Sequence, residues 1–195
     1  MTTQPATPTA RAALPILILT LVWGCNWPVL KMGVTELAPL TFRGLTLPLA
    51  ALGMLIVARM SGDSIRVPRT LWWRLCVLAF FNIACWNGLV LFGVQQLPAG
   101  RSAIIAYTMP IWATMIAIVF LHERLSRQKL AGLALGVSGM AVLIGGEIGV
   151  VSAAPLGALM ILAAAITWAF GTVLLRKWQP PIAQNTLSAW MMLLG

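Results

Sequence analysis

The chain has 195 residues, of which 60% are hydrophobic and only 9% charged, and it carries a formal charge of +9. Soluble domains carry about a quarter of their residues as charges, so this composition excludes one and leaves a membrane protein. Nor does the positive charge mark a nucleic-acid binder, because the basic residues are scattered through the joints between apolar runs and form no single face or tail.

A membrane-spanning helix needs roughly 20 apolar residues. Residues 1–13, opening on a Thr-, Pro- and Ala-rich stretch, read as a flexible cytoplasmic tail. Six apolar runs follow: Leu14 to Met32, Leu40 to Ala58, Leu75 to Phe92, Ser102 to Leu121, Leu130 to Ile144 and Leu156 to Leu175. A seventh opens near Thr186 and stops at Gly195, after about half the length a crossing requires, so the sequence reads as part of a longer protein. Bulky Trp23 before Gly24 and Cys25 fits a signal-peptide cleavage site poorly, and the apolar run continues beyond it, which predicts an uncleaved first span.

Short joints predict antiparallel neighbours. Arg11, the group Arg59, Arg66, Arg69 and Arg74, the group Arg124, Arg127 and Lys129, and the pair Arg176 and Lys177 occupy alternate joints. By the positive-inside rule these regions, with ten of the thirteen basic residues, are cytoplasmic, and so is the N-terminus. Cys25, Cys76 and Cys85 fit neither a metal site nor a disulfide framework and read as packing residues. In the fifth span Gly132 and Gly136, with Ser138 and Gly139, predict a close helix–helix contact.

The first span carries residues that a lipid-exposed helix avoids. At 100° per residue Trp23, Asn26, Trp27, Leu30 and Lys31 share one arc of roughly 140°, while Cys25 and Val29 lie opposite. Polar and aromatic groups in one stripe point to the bundle interior, and Pro28 frees a carbonyl that needs another partner. The third span places Asn82, Cys85 and Trp86 on one face, and the fourth does the same with Tyr107, Pro110 and Thr114. Rings with a few amides and hydroxyls are what an organic-ligand pocket uses. The expected substrate-binding residues are therefore Trp23, Asn26, Trp27, Lys31, Asn82, Trp86, Tyr107, Pro110 and Trp168. Asn and Thr also bridge helices, and Lys31 near a helix end also suits an interfacial anchor.

Lys31, Arg43 and Arg101 lie at the outer ends of their spans with only Glu36 and Glu147 to balance them. This surplus predicts a basic outer vestibule favouring a carboxylate or phosphate, against the alternative of three separate snorkelling anchors. No acidic residue falls deep in a span, so a carboxylate proton relay is missing from this portion. His122 is the sole histidine, and neither a metal site nor a cofactor is expected.

Trp23 and Lys31 recur 145 residues later as Trp168 and Arg176, at the same spacing of eight and with a glycine between them. Five spans separate the two starts, so the second copy crosses in the opposite sense, the layout of inverted-repeat transporters.

The runs "LVWGCNWPVLKMGV", "FRGLTLPLAALGML" and the block from Pro98 to Leu143 resemble the EamA-like branch of the drug/metabolite transporter superfamily. The resemblance rests on Trp23, Gly24, Asn26, Lys31, Arg43, Pro110, Glu123 and Arg124; His122 stands where a glycine is common in that family. It implies an all-α polytopic membrane bundle of ten helices in two inverted five-helix repeats, with the first over 14–146 and the start of the second over 154–195. It further implies an inner-membrane exporter of amino acids or other small metabolites working by alternating access. The expected partners are a small-molecule solute and the lipid bilayer, with a homodimer left open and no nucleic acid. The competing classes are a non-transporting membrane scaffold and a membrane-embedded enzyme. The enzyme would need a nucleophile with a base or a set of metal ligands, and the residues supply neither.

Overall fold

A computed structural model describes residues 10–123, 126–145 and 153–195. Most of the expected N-terminal tail, Arg124 and Glu147 lie outside the described residues. The described chain is all-helical: α1 (Ala10–Glu36), α2 (Pro39–Met60), α3 (Arg69–Gln96), α4 (Ala99–Leu121), α5 (Arg127–Gly145), α6 (Pro155–Trp178) and α7 (Gln184–Leu194). Among the described residues five helices, α1 to α4 and α6, are long and apolar enough to cross a membrane. The apolar part of α5 is shorter, Leu130–Leu143, so the fifth predicted span is not among those five.

The helices start where backbone chemistry favours it. Pro39 and Pro155 sit in the first turns of α2 and α6, where a missing N–H leaves no partner short. α1 runs unbroken through Pro15 and Pro28, so the deficit at Pro28 is carried inside a continuous helix. α4 is interrupted: its first half ends at Ala106 and its second begins at Met109, with Tyr107 and Thr108 between. Pro110 causes this, since it cannot donate to the carbonyl of Ala106 and its ring crowds that turn. Thr108 mends the gap by donating its hydroxyl to the carbonyl of Ile105 at 2.7 Å and accepting from the Trp112 indole at 3.1 Å.

α6 is the central element, packed along α3 and the second half of α4. At its crossing with α3, Gly93 faces Gly157; a Cβ on Gly157 would stand 2.8 Å from Cβ of Gln96 and 3.2 Å from the carbonyl oxygen of Gly93. Small residues at this point let two backbones approach closely in lipid. α7 packs between α2 and α3 and is tied to the α2–α3 loop. There the Thr186 hydroxyl donates to the carbonyl of Ser64 at 2.9 Å, the Trp190 indole to that of Ile65 at 2.9 Å, and the Asn185 amide to Asp63 at 3.0 Å.

Two apolar cores result. One joins the C-terminal part of α1 (Trp27, Leu30, Val34) to Val90, Leu91 and Val94 of α3, Ile105 of α4 and Ile161 of α6. The other joins Leu75, Leu78 and Ala79 of α3 to Leu187 and Met191 of α7.

Two expectations are corrected here. Cys25 and Cys76 are exposed on the apolar outer surface and only Cys85 is half-buried, so the first two do not pack the interior. Gly132, Gly136 and Gly139 of α5 have no neighbouring atom within 4 Å of a would-be Cβ. The close contact predicted for α5 belongs to α3 and α6, where Gly93 and Gly157 come from different helices and leave no periodic signal in either.

Candidate functional site

Residues Phe80–Cys85 in the middle of α3 are wound as a π-helix. In a regular α-helix residues five apart point roughly 140° away from each other; i→i+5 bonding brings them onto one face. Asn82 and Asn87 therefore look the same way, and both line a cavity of about 520 Å³ enclosed by α1, α2, α3, α4, α6 and α7. Each amide donates back into its own helix, Asn82 to the carbonyl of Leu78 at 3.1 Å and Asn87 to that of Ile83 at 2.8 Å, leaving side-chain oxygens as acceptors. Asn82 is held against Gly171 of α6, where a Cβ would approach its amide nitrogen to 2.3 Å.

Aromatic rings from four helices complete the wall. Trp27 is buried and stands edge-on to Tyr107 with centroids 6.2 Å apart. Tyr107 reaches this position because it sits at the break in α4, where the chain leaves helical winding. Trp86 and Trp168 meet across α3 and α6 at 6.3 Å. Trp23 and Asn26, both exposed, form the rim on α1, while Cys25 and Val29 lie on the outer surface. Such ring pairs are favourable beyond the area they bury.

Of the nine substrate-binding residues expected from the sequence, Trp23, Asn26, Trp27, Asn82, Trp86, Tyr107 and Trp168 line this cavity. Lys31 and Pro110 do not. The Lys31 ammonium donates to the carbonyls of Val94, Gln95 and Leu97 at 2.7, 2.9 and 3.1 Å, capping the C-terminal end of α3, where backbone acceptors run out. Gln95 returns a bond to the carbonyl of Val34 at 3.2 Å, so α1 and α3 are clamped at this end. Pro110 faces a separate groove of about 380 Å³ between α4 and α5, beside Gly132, Gly136 and the Glu123–Arg176 ion pair.

The three residues expected to form a basic vestibule are likewise separated. Lys31 is the cap just described, and Arg101 sits half-exposed in the first turn of α4, outside the cavity wall. Arg43 alone lines the cavity. Its Nε is buried without a hydrogen-bond partner, and its Cζ stands 5.6 Å from the centroid of Phe42. The sequence reading missed Asn87, Thr46 and Met192. Asn87 is out of phase with Asn82 until the π segment is known, and α7, which carries Met192, is too short to announce its position. Among the described residues no group of His, Cys, Asp or Glu is arranged to hold a metal ion.

A cavity of rings, amides and one guanidinium is the kind of wall that organic-ligand pockets use. The chain is 33% identical over 191 residues to the uncharacterized transporter YvbV of Bacillus subtilis, covering 96% of this chain and 59% of that protein. It is 31% identical over 183 residues to a probable amino-acid metabolite efflux pump of Salmonella typhimurium, covering 91% and 58%. With the inner membrane transporter YedA of Escherichia coli it shares 28% over 156 residues, covering 80% and 50%. The chain thus spans about half to three fifths of the length of these relatives. No solved structure matches it. The model of the EamA-like transporter family matches residues 10–145, and with the relatives above this places the chain in that family, within the drug/metabolite transporter superfamily.

Proposed function

We propose that this chain forms the substrate-binding part of an exporter of small organic metabolites, amino acids or related compounds, that works by alternating access. The observation that carries this reading is the cavity whose wall brings Trp23, Asn26, Trp27, Asn82, Trp86, Tyr107 and Trp168 together from four helices. The name of the Salmonella relative, an amino-acid metabolite efflux pump, supports the substrate range and the direction. Two features support an inverted repeat: Trp23 and Trp168, equivalent by their spacing to Lys31 and Arg176, line one cavity, and α4 is broken at its level, as transporter helices are around a midplane site. In this reading the N-terminus and the joints rich in Arg and Lys face the cytoplasm of a cell whose inner membrane holds the protein. The break before Pro110 serves as a bending point.

Asn26→Ala and Trp23→Ala test the reading. Both side chains are exposed at the cavity rim, so their truncation leaves membrane insertion intact while lowering efflux of amino-acid-type metabolites from expressing cells. Unchanged efflux in both variants removes α1 from the pathway.

A further inference from the structure

We infer that the cavity takes a monoanionic organic solute whose single carboxylate pairs with the Arg43 guanidinium and whose apolar body lies among Trp23, Trp27, Trp86 and Trp168. This rests on the carrier reading above and specifies the substrate class of the same site.

The argument is one of charge balance. Arg43 is half-buried in an apolar bundle, with one guanidinium nitrogen sealed from solvent and unpartnered. Among the described residues it has no hydrogen-bond or ion-pair partner, and no Asp or Glu lines the cavity. A charge in such surroundings is costly until a counter-charge arrives. Lys31 is committed to three backbone carbonyls, and Arg176 to Glu123 at the separate groove. One uncompensated cation matches one negative charge. A guanidinium presents parallel N–H groups that fit the two oxygens of a carboxylate, whereas a phosphate monoester, carrying nearly two charges, would want a second cation, and among the described residues the wall offers Arg43 alone. The remaining wall is indole, apolar side chain and amide, which suits an uncharged body.

The test is equilibrium dialysis of the purified chain in lipid nanodiscs against three probes: phenylacetate, its neutral near-isostere phenylacetamide, and phenyl phosphate. The expected order places phenylacetate first. Arg43→Gln collapses the acid-to-amide preference by roughly 10- to 100-fold, the range for losing a charge-assisted hydrogen-bonded pair, and Arg43→Lys retains part of it. Equal affinity of wild-type protein for acid and amide overturns the inference and leaves the carrier reading standing; this comparison needs no variant, so a misfolded Arg43→Gln protein does not block it. A preserved preference in folded Arg43→Gln, or a preference for phenyl phosphate, also overturns it. Failure of all three probes to bind overturns the cavity reading together with this one.

Discussion

The cavity has two unlike walls. On one side α3 and α6 are packed through Gly93, Gly157 and Gly171, and 39% and 33% of their apolar windows are buried; on the other, α1 and α2 bury 11% and 6% of theirs. α1 is held at its C-terminal end by Trp27, Leu30 and Val34 and by the Lys31 clamp, while Leu14 to Val22 are exposed. α2 touches α1 where the Phe42 ring packs on Gly33, meets the second half of α3, and packs closely along α7. A wall with few buried contacts opens at lower free energy than a close-packed one. In the proposed carrier the difference assigns the fixed frame to α3 and α6, which carry Asn82, Trp86, Asn87 and Trp168, and the movable face to α1, which carries Trp23 and Asn26.

The largest effect that would break this contrast comes from the frame. Gly157→Leu drives a side chain into Gln96 and the Gly93 backbone, and is expected to lower unfolding free energy by about 1–3 kcal/mol or more. Gly136→Leu, on the open face of α5, meets no neighbour and is expected to be neutral or to stabilise by up to about 1 kcal/mol through helix propensity. Thermal unfolding in detergent compares the two, and equal losses would mean that the α3–α6 crossing is no tighter than α5.

The clamp on the movable side comes next. Lys31→Met removes the cap from three carbonyls and should cost about 1–3 kcal/mol. The loss should appear as faster hydrogen exchange at the ends of α1 and α3, with the affinity for cavity ligands little changed. If affinity falls while exchange is untouched, Lys31 belongs to the site after all.

The smallest effect lies outside both walls. His122 ends α4 with φ of +51°, a left-handed conformation that strains a residue bearing a Cβ. His122→Gly is expected to stabilise by about 1 kcal/mol, read as a modest rise in unfolding temperature. The left-handed turn also explains why glycine suits this position in the family resembled.

Much of this arrangement could be read from the residue order. Helix existence followed from length and hydropathy, and the inward stripe of α1 followed because rings and amides in lipid seek protein partners. Other features depended on tertiary geometry that no local pattern encodes. Lys31 and Arg43 are both basic residues near the outer ends of their spans, yet one meets three carbonyls at the end of α3 while the other faces the cavity. Pro110 was expected in the binding site; it lies instead at the break in α4, and the side chain delivered to the cavity is Tyr107, on the other side of the gap. Asn87 was out of reach for a different reason, since regular winding had to be assumed through Phe80–Cys85.

That irregular stretch in α3 works as a phase adjuster for everything downstream. Rewinding it as ordinary helix with all its residues kept would swing the rest of the helix by about 100°, carrying Asn87 out of the cavity and Val90, Leu91 and Val94 off their seats against α1 and α6. Removing one residue from that stretch returns the helix to regular turns with its downstream face still aimed at the cavity, whereas the same deletion in the regular turns of α3 beside it rotates the binding surface away.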